Sequence, residues 1–106
     1  MSTNLKMFVL VRSDLEEIHQ SVQSGHSLAE YSLRGDKGLY QQWDNHSLIY
    51  LGVSDEWALL KWTHKLKKKE KCFSGFYEPD LQNELTAVAC IDTGEIFKNL
   101  PLVRWR

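Results

Sequence analysis

The fold is decided by the stretch KMFVLVRSDL, residues 6–15. Between Lys6 and Arg12 it forms a continuous apolar run with β-branched and aromatic members, which is typical of a central strand covered on both faces. Ser13 ends the run and stands three residues before Glu16, as in a capping box. The sequence therefore predicts a first strand over Lys6–Arg12 that turns directly into a helix.

The helix that follows is predicted from about Leu15 to Leu33. Small or apolar residues recur there with the spacing of one helical face, and two glycines end the pattern at positions 35 and 38. We expect this face to pack on the sheet. Its members are Leu15, Ile18, Val22, Gly25, Ala29 and Leu33.

Three further strands and one long helix are predicted downstream. Ser54-Asp55-Glu56 supplies a cap and acidic first-turn residues for the helix, and residues 39–43 suit a brief helical turn. Strand and helix alternate through the first half, which indicates parallel crossover connections. The predicted strands are Ser47–Val53, Cys72–Tyr77 and Thr86–Thr93, and the tail around Leu100, Pro101 and Leu102 is expected to cover the sheet edge.

Length and composition place the chain among soluble globular proteins. Its 106 residues suit one domain over residues 1–106, with 42% hydrophobic and 25% charged residues. The longest apolar run falls far below the roughly 20 residues of a membrane span, and the N-terminus has no signal-peptide pattern, so we expect a cytoplasmic protein without a membrane partner. Cys72 and Cys90 match no metal or redox spacing and are expected to be reduced, mostly buried thiols.

The charge pattern restricts any nucleic-acid contact to a local patch. A formal net charge of -1 gives no global basic field, and we expect no DNA partner. The lysine-rich stretch over residues 65–71 complements the negative end of the preceding helix dipole, or it forms a phosphate-contacting patch. Trp57 and Trp62 in that helix favour core packing, with base stacking as the alternative.

Residues able to carry chemistry gather at two places in the sequence. Sites in sheets with crossover helices form at the carboxyl ends of parallel strands, where Arg12, Ser13, Asp14 and the loop holding Asp80 are expected. Asp80 follows the stiff Pro79, so its carboxylate either orients or deprotonates water or simply forms a turn.

A polar stripe on the first helix is the second place. His19, Gln23 and His26 lie four and three residues apart, which puts them near one line of a helix, as site residues or as ordinary polar positions. The sequence contains no nucleophile elbow, phosphate-binding loop, dinucleotide fingerprint or pair of metal-binding histidines. General acid/base hydrolysis and plain binding are the remaining classes of function.

These features together resemble one known family. The opening over residues 6–15, Gln23, and His26-Ser27-Leu28-Ala29 are similar to the start of the type II peptidyl-tRNA hydrolases, in a compact variant of the kind found in bacteria and phages. The likeness continues in the family's order with Trp43, Ser54-Asp55-Glu56 and the segment from Glu78-Pro79-Asp80 to Thr86-Ala87-Val88-Ala89, so nearly the whole chain is covered.

The resemblance implies a fold and an activity. The fold is a three-layer α/β/α arrangement with a four-stranded mixed β-sheet and helices on both faces, in a protein that forms homodimers. The activity is hydrolysis of the ester that links a peptide to the 3′ ribose of tRNA, with the acceptor end of peptidyl-tRNA as partner and with no metal or organic cofactor.

The resemblance also assigns residues. Gln23, Asp80 and Thr86 fit the family's site, while His19 occupies the place of its lysine and Glu84 the place of one threonine. We predict Asp80, Gln23, His19 and Thr86 as catalytic residues. Arg12, Asp14, His26 and Asn83 are predicted as substrate-binding residues.

Two functions follow from this set. In the first, Asp80, Gln23 and Thr86 position water, while His19 and Arg12 steady the ester or the terminal phosphate region of a peptidyl-tRNA. In the second, the chain is a catalytically impaired member of the family that binds tRNA, a nucleotide-like ligand or a protein. The missing lysine and the glutamates at 16, 17 and 84 favour that alternative.

Overall fold

The computed structural model describes residues 4–105 and places a four-stranded sheet at the centre of the molecule. The strands are β1 (Lys6–Arg12), β2 (Leu48–Val53), β3 (Phe73–Glu78) and β4 (Glu84–Asp92), in the order β2-β1-β4-β3. β1 pairs with β2 in parallel, whereas β4 runs antiparallel to both β1 and β3. The predicted α/β class and the mixed sheet are therefore confirmed.

Three helices connect and cover these strands. α1 (Glu17–Arg34) and the short α2 (Lys37–Trp43) lie between β1 and β2, and α3 (Glu56–Lys68) lies between β2 and β3. Because β1, β2 and β3 all run in one direction, both helical connections are crossovers, as the alternation of strand and helix predicted.

Two hydrophobic clusters occupy the opposite faces of the sheet. Alternate residues of β1 divide between them, since Phe8 and Leu10 belong to the cluster that includes Leu59 of α3, whereas Met7, Val9 and Val11 belong to the cluster with Tyr31 of α1 and Trp43 of α2. Both faces of β1 are thus buried, and the helices form outer layers on the two sides. The three-layer arrangement predicted for the chain is present in these described residues.

The orientation predicted for α1 is wrong. The stripe expected to pack on the sheet faces outward, with Ile18, Val22 and Leu33 exposed by 69%, 49% and 66%. The buried side of α1 is instead the polar one, formed by Gln20, Gln23, Ser24, Ser27 and Tyr31.

Short side chains explain this inverted packing. Ser24 donates a hydrogen bond to the carbonyl oxygen of Gln20, and Ser27 donates to that of Ser24, so neither hydroxyl is buried without a partner. On the sheet side, Ala87 and Ala89 of β4 belong to the same cluster as Tyr31. Serine against alanine lets the helix axis approach the sheet closely, which the bulkier Ile18 side of the helix would prevent.

Several local expectations also changed. Ser13 does not cap α1, because its hydroxyl donates to the carbonyl oxygen of Val53 and Glu16 occupies the cap position without a side-chain bond. Asp55 caps α3 as predicted by accepting from the amide of Ala58. Trp57 and Cys72, both expected inside, are exposed, whereas Trp62 packs against the core and Cys90 is buried.

The C-terminal tail lies along the outer edge of β2. Gly52 donates its amide to the carbonyl oxygen of Pro101 at 2.9 Å, and Val103 donates to Tyr50 at 3.0 Å. Leu51 and Leu102 form an antiparallel bridge between these bonds. The predicted covering of the sheet edge by the tail is confirmed.

No helix within residues 4–105 is long and apolar enough to cross a bilayer.

Candidate functional site

The candidate site lies at the edge where the three co-directional strands end. β1, β2 and β3 finish there at Arg12, Val53 and Glu78, and β4 begins there at Glu84. Helix-crossover sheets bind ligands at this kind of edge, because the loops and helix starts converge on it. The sequence prediction that Arg12 and the Asp80 loop belong to one edge agrees with this placement.

A hydrogen-bonded chain of three side chains forms the centre of the site. The Thr86 hydroxyl donates to Oε1 of Gln23 at 2.7 Å, and Nε2 of Gln23 donates to Oε1 of Glu78 at 2.8 Å. Gln23 is 4% exposed and Thr86 is fully buried. The chain thus fixes the orientation of the Gln23 amide from both ends.

A β-bulge aims Thr86 at α1. In the pairing of β3 with β4, Phe76 lies opposite Ala87 and Tyr77 lies opposite Leu85, so Thr86 has no partner in the register. Leu85 packs on the α3 side of the sheet and Ala87 on the α1 side, while the extra residue between them reaches Gln23. Bulges commonly redirect a side chain in this way beside functional sites.

Glu78 belongs to the candidate site and was not predicted from the sequence. Besides the bond from Gln23, its Oε2 lies 3.3 Å from the amide of Asp80, which donates to it. The hydrogen bond from Gln23 is the main reason that the pKa of Glu78 lies below its usual range, with the Asp80 amide and the charge of His26 acting in the same direction. Its position directly before Pro79, as the cap of a helical turn, was the available signal.

His26 stands beside this chain on the α1 surface. Its imidazole stacks on the Phe76 ring with centroids 4.3 Å apart and an angle of 10° between the planes. The side chain remains solvent-exposed, so the stacking orients the ring without burying it. An oriented imidazole next to the Glu78 carboxylate is able to donate a hydrogen bond to a bound ligand.

His19, Asp80 and Asn83 are less closely held. All three are exposed, and their side chains make no hydrogen bond or ion pair with any residue from 4 to 105. Within the described residues, neither His19 nor Asp80 is therefore held to the hydrogen-bonded chain of Gln23, Thr86 and Glu78. Asn83 shapes the loop through its backbone, since its φ of 61° follows a φ of 55° at Gln82 and its amide donates to the Glu78 carbonyl oxygen.

Arg12 and Asp14 are bound to each other. The guanidinium donates to both carboxylate oxygens of Asp14 at 3.0 and 2.9 Å, and also to Oε1 of Glu84 at 2.7 Å. It is 7% exposed and reaches the carbonyl oxygen of Leu85 as well. These bonds raise the pKa of Arg12 and lower that of Asp14. An incoming phosphate would have to compete with two carboxylates for this cation.

A cavity of about 620 Å³ opens beside the site at the end of β2. Its walls combine Val53 and Trp62 with the tail residues Leu100, Val103 and Trp105. The Trp105 indole donates to Oε1 of Gln20 at 2.9 Å, which ties the tail to α1 one turn before Gln23. No sequence pattern indicated this cavity, because it depends on where the tail folds back.

Comparisons with known proteins bear on the fold alone. No protein-family model matches the sequence, and no curated protein matches it. Among solved structures, a protein of unknown function from Agrobacterium tumefaciens is similar, with a TM-score of 0.70 and 12% identity over 97% of this chain and 100% of that chain. The similarity in structure at this identity shows a shared α/β fold.

Proposed function

We propose that the chain is a peptidyl-tRNA hydrolase of the type II kind, which cleaves the ester between a peptidyl or N-blocked aminoacyl group and the 3′ ribose of tRNA. The observation that carries the proposal is the 2.7 Å hydrogen bond between Thr86 and Gln23, which are 63 residues apart in the sequence. The family resemblance assigned both residues to one site, and they are in contact at the sheet edge where sites form.

Gln23 is the residue best prepared to stabilise the reaction. Its amide nitrogen has two hydrogens, of which Glu78 accepts one. The other has no acceptor within residues 4–105, and in our proposal the ester carbonyl oxygen accepts it. Such a fixed donor stabilises the oxyanion that develops when water attacks. Thr86 prevents the amide from rotating, because it donates to the amide oxygen and therefore selects one of the two flipped orientations.

The Asp80 carboxylate supplies the acid/base chemistry of the proposed reaction. A water molecule beside Asp80 loses a proton to the carboxylate as its oxygen bonds to the ester carbonyl carbon. The bond from that carbon to the ribose 3′ oxygen then breaks, and the oxygen takes the proton back. Glu78 holds the Asp80 amide and stays ionised, so its part is to fix the loop and Gln23.

His19 stands where the family carries a lysine. His19 lies one turn before Gln23 on α1 and is solvent-exposed, so it is accessible to a phosphate of the acceptor end. His26, held by Phe76, and Asn83 in the loop complete the proposed contacts with the substrate. No metal or organic cofactor enters this proposal.

The test is acyl release from an N-blocked aminoacyl-tRNA. We expect Asp80→Asn and Gln23→Ala to reduce the rate about 100-fold, the usual scale for a lost acid/base or oxyanion group. Glu95→Gln is the matched control, because Glu95 is an exposed carboxylate in another short helical turn. A wild-type rate no greater than that of Asp80→Asn would overturn the enzyme proposal.

A second function, binding without turnover, is favoured by the charges around Arg12. Asp14 and Glu84 neutralise the only buried arginine within residues 4–105, and Glu78 adds a further anion at the same edge. Unchanged tRNA in the release assay together with salt-dependent tRNA binding would identify this alternative.

The proposed assembly is a cytoplasmic homodimer formed through the outward stripe of α1. This stripe has no charged residue, and no atom lies within 4 Å of a β-carbon built on Gly25 at its middle, so a second helix is able to approach closely. An antiparallel crossing there pairs Ile18 with the partner subunit's Leu33 and Val22 with the partner subunit's Ala29. The stripe is therefore complementary to itself about a two-fold axis.

A further inference from the structure

The outward side of α3 combines lysines with an exposed tryptophan. Trp57, Lys61, His64 and Lys68 are separated by four, three and four residues, so they form one line along the helix that is about 16 Å long. Leu60 and Lys65 flank the line. We call this set of six residues the basic face: Trp57, Leu60, Lys61, His64, Lys65 and Lys68.

The basic face belongs to a segment whose charge is opposite to that of the remaining chain. Residues 57–71 contain six of the 13 Lys and Arg residues and one of the 14 Asp and Glu residues, a net charge of +5. All other residues together carry -6. A cationic helix on an acidic body attracts a polyanion to one place and repels it elsewhere, which orients the encounter.

The aromatic part of the basic face is free of the core. Trp57 is 67% exposed, whereas the core side of α3 is formed by Leu59, Thr63 and Leu66. The Lys61 amine lies 5.6 Å from the centre of the Trp57 ring, and a shallow groove of about 270 Å³ runs between Trp57, Leu60, Lys61 and His64. An aromatic ring with a cation beside it suits a nucleobase stacked on the ring and its phosphate bound to the amine.

Trp57 also lies next to the strand edge that holds the candidate site. Its neighbour Glu56 accepts the amide of Leu85 at 2.9 Å, and the carbonyl oxygen of the same Leu85 accepts from Arg12. The tryptophan end of the basic face is therefore attached to the start of β4, and the lysines lead away from the site along α3. Because α1 and α3 cover opposite faces of the sheet, an RNA strand bound beside Gln23 has to cross this edge to reach the basic face.

We propose that the basic face is an RNA-binding surface, on which Trp57 stacks an unpaired base near the site and Lys61, Lys65 and Lys68 contact the phosphates of the adjoining duplex. This inference rests on the proposed function for the identity of the RNA, a tRNA acceptor stem with its single-stranded end. An anionic membrane fits less well, because the large apolar residues of the face, Trp57 and Leu60, occupy its first turn alone.

The experiment measures binding of a deacylated RNA hairpin with a four-nucleotide single-stranded 3′ end to the full chain at several salt concentrations. The double variant Lys61→Gln/Lys68→Gln is compared with the double variant Arg34→Gln/Lys98→Gln. The second removes the same amount of charge from two exposed residues that form surface ion pairs elsewhere. We expect the first pair to lower the slope of log affinity against log salt by about 2 and the second pair to leave it unchanged.

The stacking half of the proposal is tested with Trp57→Ala and Trp57→Phe. We expect Trp57→Ala to weaken binding of the hairpin with the single-stranded end about 10-fold and to leave a blunt hairpin unaffected, with recovery in Trp57→Phe. Since Trp57 is exposed, both variants should fold, which circular dichroism checks.

Two results would overturn the inference. One is an equal loss of RNA affinity in the two double variants, which would show that RNA binding depends on the net charge of the protein and not on the basic face. The other is absence of hairpin binding alongside variant-sensitive binding to phosphatidylserine vesicles, which would make the face a membrane surface. The hairpin carries no ester, so its binding does not depend on acyl release. The hydrolase proposal is tested separately by the acyl-release assay.

Discussion

At the scale of single residues, the Thr86 hydroxyl determines how the site is held. Replacing Thr86 with Val keeps the shape of the side chain and leaves the buried amide oxygen of Gln23 without its donor. We expect the free energy of unfolding to fall by about 1 to 3 kcal/mol, the cost of an unsatisfied buried acceptor. Urea denaturation measures this fall.

The matched variant is Thr86→Ser, which retains the hydroxyl and loses one methyl group. Its stability should decrease by about 1 kcal/mol, while acyl release persists. Equal acyl release in the Val and Ser variants would show that the hydroxyl does not position Gln23 for the reaction.

The Arg12–Asp14 ion pair makes the free energy of unfolding depend on pH in the acidic range. Because the hydrogen bonds and charge of Arg12 lower the pKa of Asp14 in the folded protein, the unfolded chain binds its proton first as pH decreases. The stabilisation is complete above about pH 4, near the ordinary pKa of an aspartate, and is lost as pH falls through the lower folded value. We expect wild type and Asp14→Asn to differ in unfolding free energy at pH 6 and to converge towards pH 3.

Urea denaturation at each pH measures this convergence. Glu95→Gln serves as the comparison, since Glu95 pairs with Lys98 on the exposed surface and such pairs contribute little to stability. Wild-type and Asp14→Asn curves that stay parallel across the range would contradict the account.

At the scale of elements, α3 depends on its cap. Asp55 accepts a hydrogen bond from the Ala58 amide, which would otherwise have no partner in the first turn. We expect Asp55→Ala to reduce the free energy of unfolding by about 1 kcal/mol and Asp55→Asn to have little effect, because asparagine caps equally well. Thermal denaturation followed by circular dichroism compares the two, and equal losses would argue against the cap.

Elements were largely predictable from the sequence wherever a local signal defines them. The buried run of β1 and the cap of α3 follow from residues that are close in sequence, and the apolar residues of the tail indicated that it covers a sheet edge without saying which strand it meets. The side of α1 that faces the sheet could not be predicted in this way, because it depends on the shape of the sheet surface against which the helix packs. Apolar periodicity favoured Ile18 and Val22 as core, whereas Ala87 and Ala89 on β4 accommodate the serine side of the helix.

The site was predictable in the same uneven way. Gln23 and Thr86 were predicted through the family resemblance, and the structure brings them into contact. Glu78 was missed because its role comes from the bulge and the turn, which bring strand ends together across the sheet. The ion pair between Arg12 and Glu84 was also missed, because the two residues are 72 positions apart in the sequence.

At the scale of the whole molecule, the outward stripe of α1 predicts self-association. Ile18→Asn with Leu33→Asn removes the two most exposed apolar residues of the stripe and should convert a dimer into a monomer in light scattering. Leu102→Asn is the control, because Leu102 is 60% exposed on the far side of β2. A wild-type chain that is monomeric at high concentration would contradict the proposed dimer.

The central place of β4 in the sheet has a consequence for synthesis on the ribosome. β1 and β3 are not neighbours, and β4, the last of these four strands along the chain, lies between them. A nascent chain that ends before Glu84 has only the β1–β2 pair and leaves β3 without a partner. We therefore expect the growing chain to remain a target for chaperones and proteases until β4 has emerged, and to acquire protection in a single late step.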